Sequence, residues 1–308
     1  MALTLIEAAK METGDVYRSG VIELYAGSSD ILTALPFENI TGGSLAYNRE
    51  TALPGIGFRG VNESYTPSTG VLNPLVEVLV IAGGELDVDR FIVQTRGPAI
   101  RTTQEAAKIR NLGLTWTRKF IKGDALSDAR EFDGLLVRAV GDQIISAGST
   151  ANGAALSLAV LDQAIDQTLA PTHLIMSKAM ARKFSAAART TAVSGYVTYD
   201  IDALGRRAMF YNGLPILTVD LDGSGTAILP FTEAAASGTD TATSIYVVGM
   251  GADSLTGIQN GGMMVDDLGL LQTSPLYRTR IECYCGIAAF NGRSITRIKN
   301  IGDLAIVA

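Results

Sequence analysis

Residues 97–123, GPAIRTTQEAAKIRNLGLTWTRKFIKG, form the longest uninterrupted helical pattern in the chain, and their reading decides the fold. Gly97-Pro98 supplies a fixed φ and a missing donor suited to a first helical turn, while Lys119 and Lys122 ahead of Gly123 complement the negative C-terminal end. Ala99, Thr103, Ala106, Ile109, Trp116 and Phe120 recur close to three-and-four spacing and predict the buried face. Arg101, Glu105, Lys108, Arg110 and Arg118 predict the solvent face, with Arg101/Glu105 and Glu105/Lys108 at helix-neighbour spacing. A rod of ~24 residues is about 36 Å long, against a radius of gyration of ~19 Å for a compact chain of this length. Such a helix nearly spans the molecule and carries no catalytic groups, which predicts a scaffold.

Working outward, segments 76–81 and 86–93 are dense in Val and Ile and predict a strand pair joined at Gly83-Gly84, leading into the helix. Residues 35–74 turn to Gly, Asn, Thr and Pro around two short strand-like pieces, 45–49 and 56–61. They predict a protruding hairpin whose missing packing a partner would supply. Residues 1–35, with a short amphipathic segment at 3–11 and another patch at 21–24, read as an extended arm. Beyond the helix, Ser157 caps a predicted helix carrying Leu158, Leu161, Ile165 and Leu169, stopped by Pro171; a strand at 173–176 and a helix at 177–189 follow. Further strands at 208–211, 215–219 and 245–248 complete an α+β region. Residues 277–301 alternate Ile281, Cys283, Cys285 and Ile287 with Arg280, Glu282 and Tyr284, then turn at Asn291-Gly292. They predict a closing hairpin able to pair with the strands ahead of the long helix.

The 308 residues suffice to bury ~75% of the unfolded surface. Hydrophobic residues are 47% and charged residues 18%, so the surface must include apolar, Ser, Thr, Gly and Asn area that favours association. A net charge of −6 without any long basic run argues against sequence-specific nucleic-acid binding. No window reaches the ~18 apolar residues of a membrane span. Cys283 and Cys285, two apart on a strand, point the same way and cannot easily bridge, so reduced core thiols are expected.

Catalytic patterns are scarce. His173, the single histidine, lies in an apolar strand and reads as structural. The segment IYVVGMG at 245–251 starts like a dinucleotide fingerprint, but Ser254 takes the third glycine position. Asp220, Asp222 and Ser224 match half a calcium loop, yet position twelve is Phe231; a turn between strands fits better. Asp266-Asp267 and Asp200/Asp202 read as solvated turns.

The order of arm, protruding hairpin, strand pair, long helix, α+β region and closing strands resembles the HK97-fold major capsid proteins of tailed double-stranded DNA bacteriophages, nearly end to end. EFDGLL at 131–136, LSLAVLDQAID at 156–166, PTHLIMSKAMARKFSAAAR at 171–189, YNGLPIL at 211–217 and YRTRIECYCGIAAFNGRSITRI at 277–298 carry the resemblance. It implies an α+β HK97-like capsid fold: an N-terminal arm over 1–40, an extended E-loop over 41–72, a peripheral domain over 73–145 with its spine helix at 98–122, an axial domain over 146–261, and closing strands of the peripheral domain over 262–308.

The implied protein has no catalytic residue, cofactor or metal. It self-assembles into the hexamers and pentamers of an icosahedral head around double-stranded DNA, in the virion, after assembly in the bacterial host cytoplasm. Its implied partners are further copies of itself, a portal protein, a separate scaffolding protein, decoration proteins and non-specifically held DNA, with no membrane. Arg49, Glu50, Phe58, Arg59 and Glu63 are the implied E-loop contacts between subunits, and Gly113 the implied hinge of the spine. Relatives that cross-link use an E-loop lysine, and 41–72 contains none, so a non-covalent shell is expected. The competing expectations are an encapsulin-like shell around protein cargo and, from another class, a nucleotide-binding cytosolic enzyme.

Overall fold

A computed structural model describes residues 3–4, 24–25, 29–189, 195–201 and 207–307. Most of the expected arm, including residues 5–11 of its amphipathic segment, and Asp202 lie outside them. In chain order the elements are β1 (Leu3–Thr4), α1 (Asp30–Ala34), β2 (Pro36–Asn39), β3 (Ser44–Ala52), β4 (Val71–Val78), β5 (Val80–Asp89), α2 (Arg90–Arg96) and the long α3 (Ala99–Lys122). Then come α4 (Leu135–Arg138), β6 (Ile144–Ser146), α5 (Leu158–Gln167), β7 (His173–Ser177), α6 (Lys178–Ala187), β8 (Val197–Ile201), β9 (Arg207–Tyr211) and β10 (Leu214–Val219). The chain closes with β11 (Glu233–Ala234), β12 (Asp240–Val248), β13 (Leu255–Leu270), β14 (Leu276–Ala289) and β15 (Ile295–Gly302).

Two sheets carry the α+β architecture. The first runs β1-β2-β13-β14-β5 and the second β6-β15-β12-β7-β10-β9-β8, with β11 beside β12; β3 and β4 form a separate two-stranded ribbon. Strand β12 explains how the layers join. Its side chains alternate between two cores: Tyr246 and Val248 point into the cluster under α3, Ile245 and Val247 into the cluster under α5 and α6. A strand covered on both faces reads as a continuous apolar run, as IYVV at 245–248 does.

Helix α3 follows the predicted span, and Ile109, Trp116, Phe120 and Ile121 are buried on it. Trp116 stacks on Phe120 with ring centres 5.2 Å apart and also meets Phe37 and Phe132. In the first half the faces differ from expectation: Thr103 is exposed and Glu105 is buried. The inward carboxylate is satisfied, because Thr279 on β14 donates to it at 2.8 Å and Arg101 lies 3.3 Å away.

Several strand expectations change. Gly83-Gly84 is no turn but the middle of β5, in register with Glu282 and Ile281 of β14. A Cβ at Gly83 would stand 2.3 Å from the Ile281 carbonyl oxygen, so that close approach explains the glycine. Residues 90–93 are helical in α2, whose first turn is capped by Asp89 accepting from the Phe91 amide at 2.7 Å. Residues 56–61 form no strand; the protruding hairpin is built by β3 against β4. The hairpin of the first sheet is β13 with β14, and the Asn291-Gly292 turn instead sends β15 across to the second sheet, between β12 and β6. Residues 262–308 therefore divide between the two sheets. Ile295, Ile298 and Ile301 give the physical reason, since each is buried in one of the two cores shared with β12.

Candidate assembly surface

The β3–β4 hairpin is rooted by a compact polar network. Arg138 of α4 donates to both carboxylate oxygens of Glu77 on β4, at 2.6 and 2.7 Å, and to the carbonyls of Asp133 (2.7 Å) and Ile287 (3.1 Å). Tyr47 on β3 donates toward Glu77 (3.2 Å) and the Ala289 carbonyl (3.0 Å), and its ring meets Phe290 edge-on at 4.9 Å. Burial works against the Arg138 charge, but the Glu77 carboxylate outweighs it and the guanidinium is held more firmly protonated than usual. Burial first, and then Glu77, push the Tyr47 phenol upward, so it stays a neutral donor.

Beyond this root the hairpin changes character. Residues 53–70 have no regular pairing and are exposed throughout, with Ile56 at 95%, Phe58 at 107% and Val61 at 92%. An apolar tip of this kind has no hydrophobic partner among the described residues. Beside the root, strand residues 76–81 and the loop 125–133 enclose a groove of about 640 Å³. It presents exposed Val76, Val78 and Ile81.

The expected contact residues separate into two groups. Arg49 belongs to the root: half-buried, it donates to the Ala289 carbonyl and approaches the Tyr47 hydroxyl at 3.4 Å. Glu50 is placed opposite Leu72 in the ribbon, and its side chain lies outside the described residues. Phe58, Arg59 and Glu63 all lie at the exposed tip. There Glu63 accepts from the Gly60 amide at 2.7 Å, Arg59 donates to the Glu63 carbonyl at 3.2 Å, and the Arg59 guanidinium lies 5.3 Å from the Tyr65 ring centre. Gly113 is buried in mid-helix, and its carbonyl accepts from the Thr117 hydroxyl at 2.8 Å. Sequence reasoning missed Tyr47, Glu77 and Arg138; the one local signal was that Tyr47 and Arg49, two apart on a strand, share a face.

The remaining motifs have structural partners. Asp222 accepts from the amides of Ser224 (2.9 Å) and Thr226 (2.8 Å), the Ser224 hydroxyl (2.7 Å) and Arg118 (2.7 Å). The Ser224 hydroxyl and the Thr226 amide hold its carboxyl down at about 2. The positive charge facing this carboxylate is supplied by Arg118. After β12 the chain enters β13 rather than a helix, and a Cβ at Gly249 would lie 2.7 Å from the Ala170 carbonyl; packing explains that glycine. His173 shares a hydrogen bond with Thr172 at 2.9 Å. Cys283 and Cys285 are free and buried, and the thiol contact between them, with burial, pushes Cys285 well up. Among the described residues no three His, Cys, Asp or Glu side chains gather as a metal site, and no helix is long and apolar enough to cross a membrane.

No protein-family model and no curated protein sequence matches the chain. Solved structures do match. The holo-SrpI encapsulin complex of Synechococcus elongatus PCC 7942 superposes with a TM-score of 0.63 at 14% identity, over 90% of this chain and 89% of that one. The capsid of a native GTA particle gives 0.64 at 14% identity, over 89% and 91%. A chain of Mycobacterium phage Bobi gives 0.61 at 14% identity, over 88% and 89%. The chain has the HK97 fold. Within the HK97 fold, the long α3 and the protruding β3–β4 hairpin correspond to the spine and E-loop expected from the resemblance.

Proposed function

We propose that this chain is the major capsid protein of a tailed double-stranded DNA phage, building an icosahedral head from hexamers and pentamers. The observation that carries the reading is the pairing of two unsatisfied apolar surfaces on one chain. The tip at Ile56, Phe58 and Val61 projects from one side of a firmly rooted hairpin, and Val76, Val78 and Ile81 line a groove at its base. A tip of one copy seated in the groove of the next is a heterologous contact, which propagates from copy to copy and closes into rings or shells. Phe58, Arg59 and Glu63 then serve as contacts between copies, whereas Arg49 orients the hairpin that presents them. In this reading the peripheral domain (73–145 with 262–308) is centred on α3 and the first sheet and the axial domain (146–261) on the second sheet, with β15 of 262–308 crossing into the second. A portal and packaged DNA are the partners this reading implies, with assembly helped by a separate scaffolding protein or by none.

Negative-stain microscopy of the purified full-length chain tests it, together with analysis of particle contents from producing cells. Closed shells containing double-stranded DNA are expected. Shells filled with protein would replace the reading by an encapsulin, and a monomer that binds nucleotide in calorimetry would replace it by an enzyme. Phe58→Asp, at a fully exposed position, should leave thermal stability unchanged and abolish shells; normal shells from this variant would remove the tip from the interface.

A further inference from the structure

The loop between β10 and β11 reaches across to α3 and touches the face opposite the first sheet. At 3.6 residues per turn, Asn111 and Arg118 share one face of α3, while Ile109, Gly113 and Trp116 lie on the other. Arg118 bonds the Asp222 carboxylate at 2.7 Å, and Asp222 is only 3% exposed in its side chain although Arg118 is 46% exposed. Gly223 lies so close to the helix that a Cβ there would fall 1.4 Å from Asn111 Oδ1. Contact is therefore made two turns apart, on either side of Gly113.

The loop is rigid before it meets the helix. The Asp222 amide donates to the Thr226 carbonyl at 2.8 Å, the Gly225 amide to the Asp222 carbonyl at 3.0 Å and the Ile228 amide to the Asp220 carbonyl at 2.9 Å. Three further donors from Ser224 and Thr226 fix the carboxylate itself. At its base Lys178, the first residue of α6, pairs with Asp220 at 2.6 Å. A carboxylate oriented in this way meets the guanidinium with no further ordering cost of its own.

We infer that the 220–226 loop is a brace, locking the middle of α3 to the second sheet so that α3 cannot bend near Gly113 or change its angle to that sheet until the Asp222–Arg118 contact breaks. The inference concerns contacts within one chain and does not depend on the shell reading. Asp222 thus acts as a positioning residue for the helix.

Hydrogen exchange on the full-length chain, in the oligomeric state it adopts, tests the brace with Asp222→Asn, Arg118→Gln and the double variant. In each single variant the amides of residues 109–118 should exchange about tenfold faster while β12 and β14 keep their rates, and the double variant should add little to the larger single effect. Unchanged rates over 109–118 would overturn the inference, as would an equal acceleration through β12 and β14, or strictly additive effects. Should Asp222→Asn fail to fold, Arg118→Gln decides alone, since it alters a half-exposed side chain and leaves the turn intact.

Discussion

Replacing Glu77 by Gln puts the hairpin root to a quantitative test. Glu77 takes both terminal nitrogens of Arg138 and the Tyr47 hydroxyl, and the Arg138 side chain is only 10% exposed. With Gln in its place the carboxylate charge is gone, and the guanidinium keeps the carbonyls of Asp133 and Ile287 and a single neutral amide oxygen at position 77. Removing one partner of a buried pair costs ~3–5 kcal/mol; Glu77 is 19% exposed and Gln retains one acceptor, so ~2–3 kcal/mol is expected. With an unfolding entropy of ~2.1 cal/mol/K per residue, 308 residues translate that loss into a fall in Tm of ~3–5 °C. Scanning calorimetry of Glu77→Gln, Arg138→Met and the double variant reads it. The double variant should lose less than the sum of the singles by at least ~1 kcal/mol, because the second change removes the charge stranded by the first. A Tm within about 1 °C of the parent for Glu77→Gln, or exact additivity, would refute the role given to this pair.

Acid should destabilise the fold in a defined direction. Asp87, Asp222 and Asp267 have lowered folded pKa values through bonds to Arg278, to Ser224 and Thr226, and to Arg101 respectively, with Asp222 at about 2. Their contribution is fully present above the unfolded carboxyl value of ~3.9 and is lost as pH falls toward ~2, so Tm should drop over that window and Asp222→Asn should flatten the drop; an unchanged slope would contradict the assignment. Because 41–72 contains no lysine, boiling assembled particles in detergent should release only 32.4 kDa monomers, and a ladder of oligomers would show cross-links. Gly113→Ala removes a helix penalty of ~1 kcal/mol and should favour a straight α3, disturbing any assembly step that needs a bend; unchanged assembly and expansion would show that Gly113 is no hinge.

Elements with a strong local period were legible. The helical spacing around Trp116 and Phe120, the caps at Ser157 and Gly123, and the alternation through Cys283 and Cys285 each found their element. What failed depended on distant partners. Glu105 could not be read as inward-facing without knowing that Thr279 waits opposite. β13 was hidden because Gly261 and Gly262, at φ 72° and 70°, sit where its register to β14 shifts, and a glycine pair reads locally as a turn. The apolar hairpin tip was recognisable as unpacked chain. Its root was not, because Glu77 and Arg138 lie 61 residues apart.

The alternation along β12 has a consequence for how the chain melts. Ile245 and Tyr246 are neighbours in sequence yet are buried in different hydrophobic clusters, so the second sheet is a party wall with a core on each side. Neither core can lose its packing while the other keeps a complete lining. The two cores should therefore unfold in one cooperative transition, despite a length at which separate domains commonly melt apart.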